Sequence, residues 1–521
     1  MHRGRVHFVL SPSGGSAVTP SSRARRARSG RARRSRPRQR SAVGALVLAV
    51  LGALVPGTAY LVARRFRLGG VVTALSLAAY GVAAYVGLMR RDDVIAWALD
   101  PDLLLWMVGG LTAVALCWVV VLVTSYKMLR PLTTRPASRL FGAVVIGLVC
   151  FAMASSTALG TQTLMAQRSL VRKVFSGDES KSQTRPTVAN TGDVWAQFPR
   201  LNVLLLGADD GEGRDNTRTD TVMIASIDTK TGDTALISLA RNWMRMPFPK
   251  DSPLHELYPT GFWDPDGPPE QSSFYLDAMY RMVPELHPGV LGPSDNEGAD
   301  VLKLAAGEAL GLKLHYYVQI NLAGFEQLVE ALGGITVNIN YPVPVGGNDD
   351  KNIPPNRYLE PGPNRKLNGK DALWFARGRY RVPGADVARQ ARQRCTIKAI
   401  VERATPQNIL ANYQSIAAAG EQLIRTDIPE KLLPHLLPLG KKVKTAKITT
   451  IDLDKKRNYP TGQNPDYAAM RTIIRTTLNP TPKPRPTPTR RTPTKPTTKP
   501  PTTPPPSPPA DLTQDCAYNP R

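Results

Sequence analysis

Residues 202–210 read NVLLLGADD, and residues 218–228 read RTDTVMIASID. Each stretch holds an apolar run of strand length, 203–206 and 222–227, next to charge. Short apolar runs bounded by polar punctuation suit strands buried in a sheet. Both place acids at a strand mouth. Asp209 and Asp210 follow the first run; Asp220 precedes the second, with Arg218 beside it. One explanation is a structural ion pair. The other is a site for a metal ion and a charged substrate.

The surrounding sequence extends the pattern. TALISLAR (234–241), HYYVQINL (315–322) and ITVNINYPV (335–343) read as further strands. VLKLAAGEALGL (301–312) has helical spacing. AGFEQLVEALGG (323–334) puts Phe325, Leu328, Val329 and Leu332 on one helix face and stops at Gly333 and Gly334. ADVARQARQRCTIKAIVERA (385–404) is a long helix. Strands and helices intermix, so residues 196–478 are expected to form an α/β domain with a central sheet covered by helices.

The full chain has 521 residues and a formal net charge of +26, more than one ordinary domain. Residues 1–40 carry twelve arginines and no acid. Such an arm cannot bury a core and reads as disordered, suited to anionic lipid, to fixing membrane topology or to nucleic acid. Four apolar stretches follow, at 41–63, 69–88, 103–125 and 139–160, each near the roughly 20 residues that cross a bilayer. The arm, RRFR at 64–67 and the loop 126–139 are basic, whereas the loop 89–102 holds Asp92, Asp93, Asp100 and Asp102. The positive-inside rule puts the three basic segments in the cytoplasm and 89–102 outside. The stretch 41–63, interrupted by Pro56 and Gly57, is then a hairpin rather than a span. Three spans and a linker at 161–195 leave the soluble half extracytoplasmic. The competing four-span reading places arm and domain on one side. The long basic region and the spans after it argue against a cleaved signal peptide.

From 479 the sequence becomes NPTPKPRPTPTRRTPTKPTTKPPTTPPPSPP. This composition predicts a disordered, extended tail over 479–521, either a stiff spacer into the wall or a terminus without a specific role. Four cysteines do not make a disulfide framework. Cys117 and Cys150 lie in apolar runs. A Cys395–Cys516 bridge is possible outside the cell, but proximity cannot be read from sequence and the pairing is not expected.

Candidate chemistry lies in three places: Asp209, Arg218 and Asp220 at the strand mouths; Arg241 and Arg245 in SLARNWMR; and WFARGRYRVPGADVARQARQR (374–394). The last offers Arg377, Arg379, Arg381, Asp386, Arg389, Arg392, Gln393 and Arg394. If WFARGRYRV is extended, Arg377 and Arg379 point to one side. Arg389 and Gln393 share a helix face, and Asp386 sits near that helix's N-terminus. Each piece alone also reads as a solvated helix face or an ion pair. Together, five or six arginines and two or three carboxylates need an anion to balance them. Arginine forks match phosphate oxygens, and two aspartates with substrate phosphates suit Mg²⁺ (or Mn²⁺). The parts describe a pyrophosphate site. No P-loop, GxGxxG, CxxC or HExxH competes.

The segments 204–228 and 237–249, FEQLVEALGGITVNI and LNGKDALWFARGRYRVPGADVARQARQ resemble the LytR-CpsA-Psr family in order and content. The resemblance implies an extracytoplasmic α/β domain with a central mixed β-sheet flanked by helices, here preceded by a multi-span helical membrane region. It implies transfer of a glycopolymer (wall teichoic acid, capsule or arabinogalactan) from a polyprenyl-pyrophosphate carrier to the muramic acid 6-hydroxyl of peptidoglycan. On the matching positions, Asp209 and Asp220 are the Mg²⁺ ligands. Arg241, Arg377, Arg379 and Arg389 bind pyrophosphate, with Gln393 in the same pocket and Arg218 and Arg245 at its rim. Asp386 orients arginines or serves as a base. Two departures stand out. Many members have Pro-Arg-Asp where this chain has Ala240-Arg241-Asn242, so no role of that aspartate carries over. A single anchor helix is also commoner than several spans. Three rivals remain: a membrane-bound transcription or envelope regulator, a hydrolase of the same lipid carrier, and a non-enzymatic wall-binding scaffold. The topology leaves no nucleic acid partner expected.

Overall fold

The computed structural model describes residues 42–90, 93–94, 97–98, 100–130, 135–175, 181–187, 194–209, 219–267, 271–348, 351–405, 408, 424–451, 453, 465–479 and 510–520. The basic arm and the Pro/Thr-rich stretch 480–509 lie outside these residues, and so do Asp210 and Arg218. The first apolar stretch is broken where expected: α1 (Ala42–Leu54) and α2 (Thr58–Val62) meet at Pro56 and Gly57. Gly57 has φ 99°, and a Cβ there would stand 2.5 Å from the Thr73 backbone nitrogen, so the turn requires glycine. Among the described residues, three helices are long and apolar enough to cross a bilayer: α3 (Phe66–Met89), α4 (Pro101–Leu129) and α5 (Pro136–Val174). Arg168 Nε of α5 donates to the Pro101 carbonyl at 3.0 Å, and Arg172 lies 3.3 Å from Asp102, which joins α5 to the start of α4. The helix extends well past residue 160 to Phe175, which packs with Val194, Leu201 and Tyr316 of the soluble half.

The strands are β1 (Arg200–Ala208), β2 (Thr219–Asp228), β3 (Thr234–Leu239), β4 (Tyr316–Asn321), β5 (Ile335–Ile339), β6 (Val343–Val345), β7 (Arg357–Leu359), β8 (Gly362–Leu367), β9 (Ile424–Thr426), β10 (Ile448–Ile451) and β11 (Ala510–Asp511). The further helices are α6 (Leu276–Leu286), α7 (Glu297–Leu310), α8 (Leu322–Ala331), α9 (Gly369–Arg377), α10 (Ala385–Arg403), α11 (Leu433–Thr445), α12 (Tyr467–Leu478) and α13 (Leu512–Asp515). Seven strands form one sheet in the order β11-β10-β3-β2-β1-β4-β9. It is mixed: β2 runs antiparallel to its neighbours β1 and β3, β4 runs parallel to β1, and β10 parallel to β3.

Period-two alternation explains why these strands are apolar throughout. Leu204, Leu206, Val222, Ile224, Ile237 and Leu239 pack on one side in a core with α6, α7 and α12. The alternate residues serve the other face. Val203 meets Leu439 of α11, while Met223 and Leu236 meet Leu512 of α13. Truncating Ile224 or Ile237, both fully buried, to alanine would cost about 2–5 kcal/mol.

The stretch read as a strand at 335–343 forms two, β5 and β6, outside the central sheet: β5 pairs with β8 and β6 with β7, over a small core of Val329, Ile335, Val337 and Phe375. Two expectations are corrected. The segment preceding Arg379 is not extended. Residues 369–377 form a helix, capped by the Asn368 side chain accepting from the Asp371 amide, and Arg377 is its last residue. Lastly, residues 510–520 of the expected disordered tail are placed in the fold. Ala510 and Asp511 pair with β10, Leu512 is fully buried, and Cys516 is bonded to Cys395 of α10. An apolar residue flanked by a capping aspartate and a cysteine is enough to redock the chain. Proline and threonine composition hid it.

Ser182 and Thr184, between α5 and β1, are also fixed. Both donate to Asp300, which with Asp427 flanks the Lys303 ammonium inside the domain. All three charged groups are at most 2% exposed.

Candidate functional site

At the mouth of β1 and β2 the ladder skips a residue. Gly207 pairs with Thr221 and Ala208 with Thr219, so Asp220 is the extra residue of a bulge. Bulges re-aim side chains, and here the bulge turns Asp220 toward the two segments that bring arginines. Arg241, two residues beyond β3, places Nη1 3.3 Å from Asp220 Oδ1. The Asp277 amide at the start of α6 donates to the Arg241 carbonyl at 3.0 Å and holds that backbone. Arg377 enters from α9. Its Nη2 donates to Asp209 Oδ2 at 2.9 Å and lies 3.9 Å from Asp220 Oδ2. A guanidinium at a helix C-terminus is favoured by the helix dipole. Gly378 follows because a Cβ there would stand 2.3 Å from the Pro344 carbonyl oxygen.

The long helix α10 completes the cluster. Gln393 Nε2 donates to Thr221 Oγ1 at 2.8 Å and so ties α10 to β2 one residue from Asp220. Arg389 is 4% exposed. Its Nη2 lies 3.2 Å from Asp386 Oδ1, a charge contact without hydrogen-bond alignment, and its Nε makes no hydrogen bond. Burial lowers the Arg389 pKa; Asp386 and Asp220 oppose that shift, while the like charges of Arg241 and Arg379 add to it. Those influences place Arg241, Arg379, Asp220 and Asp386 around one buried guanidinium.

The structure therefore brings together Asp209, Asp220, Arg241, Arg377, Arg379, Arg389, Asp386 and Gln393. Arg218 falls outside the described residues. Among the described residues, Arg245 meets Trp263 rather than the cluster: it takes φ 52° and its guanidinium stacks 4.6 Å from the ring centroid. Arg381 turns to Asn352. Arg394 is buried against Ser238. Sequence reasoning passed over Thr221, the anchor for Gln393, and gave Arg392 no role. Neither had a local signal, because both act through partners remote in sequence.

The donor set bears on a metal. Among the described residues, no three His, Cys, Asp or Glu side chains gather as a cage. Asp209 and Asp220 both face Arg377 Nη2 and are about a quarter exposed. Two carboxylates fit a hard divalent cation once substrate phosphates supply further oxygens.

The sequence profile of the LytR_cpsA_psr family matches residues 171–477, which include every described member of the cluster. The chain belongs to that family. Several of its relatives are named as transferases. The polyisoprenyl-teichoic acid–peptidoglycan teichoic acid transferase TagU of Enterococcus faecalis is 26% identical over 290 residues, 55% of this chain and 78% of the relative. Biofilm regulatory protein A of Streptococcus mutans is 27% identical over 323 residues, 59% and 71% of the two chains. Among solved structures, the LytR-Csp2A-Psr enzyme from Actinomyces oris is 17% identical, with a TM-score of 0.35 over 58% of this chain and 93% of the other.

Proposed function

We propose that this protein moves a glycopolymer from a polyprenyl-pyrophosphate carrier to the muramic acid 6-hydroxyl of peptidoglycan, with Mg²⁺ (or Mn²⁺) and with release of polyprenyl phosphate. The observation that carries this reading is Arg389. A buried guanidinium with an unbonded Nε and like charges near it is poised for an anion with several oxygens, and bidentate arginine contacts suit phosphate.

The acceptor hydroxyl oxygen attacks the glycan-bearing phosphorus. The bond from that phosphorus to the bridging oxygen breaks, polyprenyl phosphate departs with the electron pair, and the hydroxyl proton passes to the medium. Such transfers rest on positioning and charge stabilisation. Arg241, Arg377, Arg379 and Arg389 would grip the two phosphates, with Gln393 beside them. Arg377 would leave the carboxylates for substrate, which frees Asp209 and Asp220 to hold the divalent ion. That ion would supply charge neutralisation at the phosphate oxygens. Asp386 keeps Arg389 in place.

We further read α3, α4 and α5 as membrane spans, α1 and α2 as a hairpin, and the domain as extracytoplasmic, so that lipid-borne donor and wall acceptor meet at one face. Labelled lipid carrier, peptidoglycan and Mg²⁺ test the reading. Phosphodiester-linked polymer on the wall is expected. Free glycan phosphate alone would mean that water is the acceptor and the protein a hydrolase. Intact donor in both arms would refute the reading.

A further inference from the structure

Arg392 is 5% exposed and has no carboxylate among its hydrogen-bond partners. Its Nε donates to the Phe375 carbonyl at 2.6 Å, Nη2 to the Gly378 carbonyl and Nη1 to the Tyr341 hydroxyl. Phe375 and Gly378 bracket Arg377, the guanidinium between Asp209 and Asp220. The next residue, Gln393, is the one that ties α10 to β2. Burying a guanidinium this deeply is costly, and an apolar side chain of similar volume would fill the space without that cost. An arginine here is explained by what its rigid fork does: two carbonyls at the C-terminal end of α9 are held from one point on α10. The last carbonyls of a helix otherwise lack partners.

We propose that Arg392 is a positioning residue for Arg377: it clamps the last turn of α9 so that the Arg377 guanidinium sits at the carboxylate pair. This rests on the transferase reading only for what Arg377 then does. Lysine at 392 keeps the charge but presents one compact ammonium, which cannot span both carbonyls. Tyr341→Phe leaves the clamp on both carbonyls intact.

The test uses the full chain in nanodiscs, with initial rates of transfer for wild type, Arg377→Ala, Arg392→Lys, the double variant and Tyr341→Phe. Arg392→Lys is expected to slow transfer at least about tenfold, since small misplacements of a positioned group have such effects. In the Arg377→Ala background the same change should add less than about twofold, because a residue acting through another is non-additive with it. Tyr341→Phe should stay within about twofold of wild type; a loss as large as that of Arg392→Lys would mean that the hydroxyl contact and not the carbonyl clamp carries the effect, and would count against the proposal. A normal rate for Arg392→Lys, or a factor that multiplies undiminished onto Arg377→Ala, would overturn the proposal.

Amide hydrogen exchange gives an arm independent of activity. The Gly378 amide donates to the Trp374 carbonyl at 2.7 Å. It should exchange faster in Arg392→Lys, while the β1 and β2 amides keep their wild-type protection. If wild type makes no product, or Arg377→Ala is harmless, the transferase reading has failed instead. Gly378 exchange then decides the clamp alone, with unchanged protection counting against it.

Discussion

Arg377 and Asp209 are 168 residues apart in sequence, yet Nη2 of one donates to Oδ2 of the other at 2.9 Å. The pair is about a quarter to a third exposed, so it adds little stability, of order 1 kcal/mol or less. Arg377→Ala should therefore melt within a few degrees of wild type while losing roughly 100-fold or more in transfer rate, the scale of removing one stabilising donor. Calorimetry beside a transfer assay checks both halves. A collapse of the melting temperature would move Arg377 from the site to the scaffold.

Asp220 owes its direction to the bulge between Gly207 and Ala208. Asp220→Asn retains the shape and removes the charge. We expect the Mg²⁺ concentration for half-maximal rate to rise at least about tenfold, the scale of losing one charged ligand contact. A metal titration with the substrate held saturating reads this directly. An unchanged midpoint would leave Asp220 as the partner of Arg241 and nothing more.

His315 offers a pH signature. Its Nδ1 accepts from the Asn202 amide at 3.0 Å, and the ring is 6% exposed. Burial, helped by Lys313 and Lys303, lowers its pKa to about 4. The unfolded chain binds this proton first, near pH 6.5. The contribution is thus fully present above about pH 6.5 and is lost as pH falls toward 4, amounting to about 3 kcal/mol. Denaturant midpoints at pH 7 and pH 4.5 should differ more for wild type than for His315→Gln.

Cys395–Cys516 closes a loop of 121 residues in sequence separation. Chain entropy alone puts an upper value of about 5 kcal/mol on such a closure. Reduction, or Cys516→Ser, should lower the melting temperature by several degrees. It should also speed exchange in residues 510–517 before β1 and β2 are affected. A melt insensitive to reductant would contradict this.

Much of the architecture was legible because it is local. The runs at 203–206 and 222–227 are apolar at every position but Ser226, since the sheet is covered on both faces. The helices around 301, 323 and 385 carry their own spacing and stops. The site was legible as residue types, for arginines and aspartates are rare enough to count. Their geometry was not. Whether Asp220 bulges depends on register with β1, and whether Arg377 ends a helix depends on Asn368 capping it and on Gly378 fitting under Pro344. Arg245 sits in the right motif, yet Trp263, eighteen residues on, takes its guanidinium. Prolines and threonines masked the docking of Leu512, since one buried leucine scarcely alters the composition of a tail.

With Cys516 joined to Cys395, the chain downstream of α10 is covalently a ring. A single cut anywhere in the Pro/Thr-rich stretch 480–509 would open that ring without releasing a fragment. The nicked protein would run as one mass under oxidising conditions and as two after reduction. Both ends of the stretch belong to the same globule, so whatever it touches, it touches as a loop pegged at two points and not as a free end.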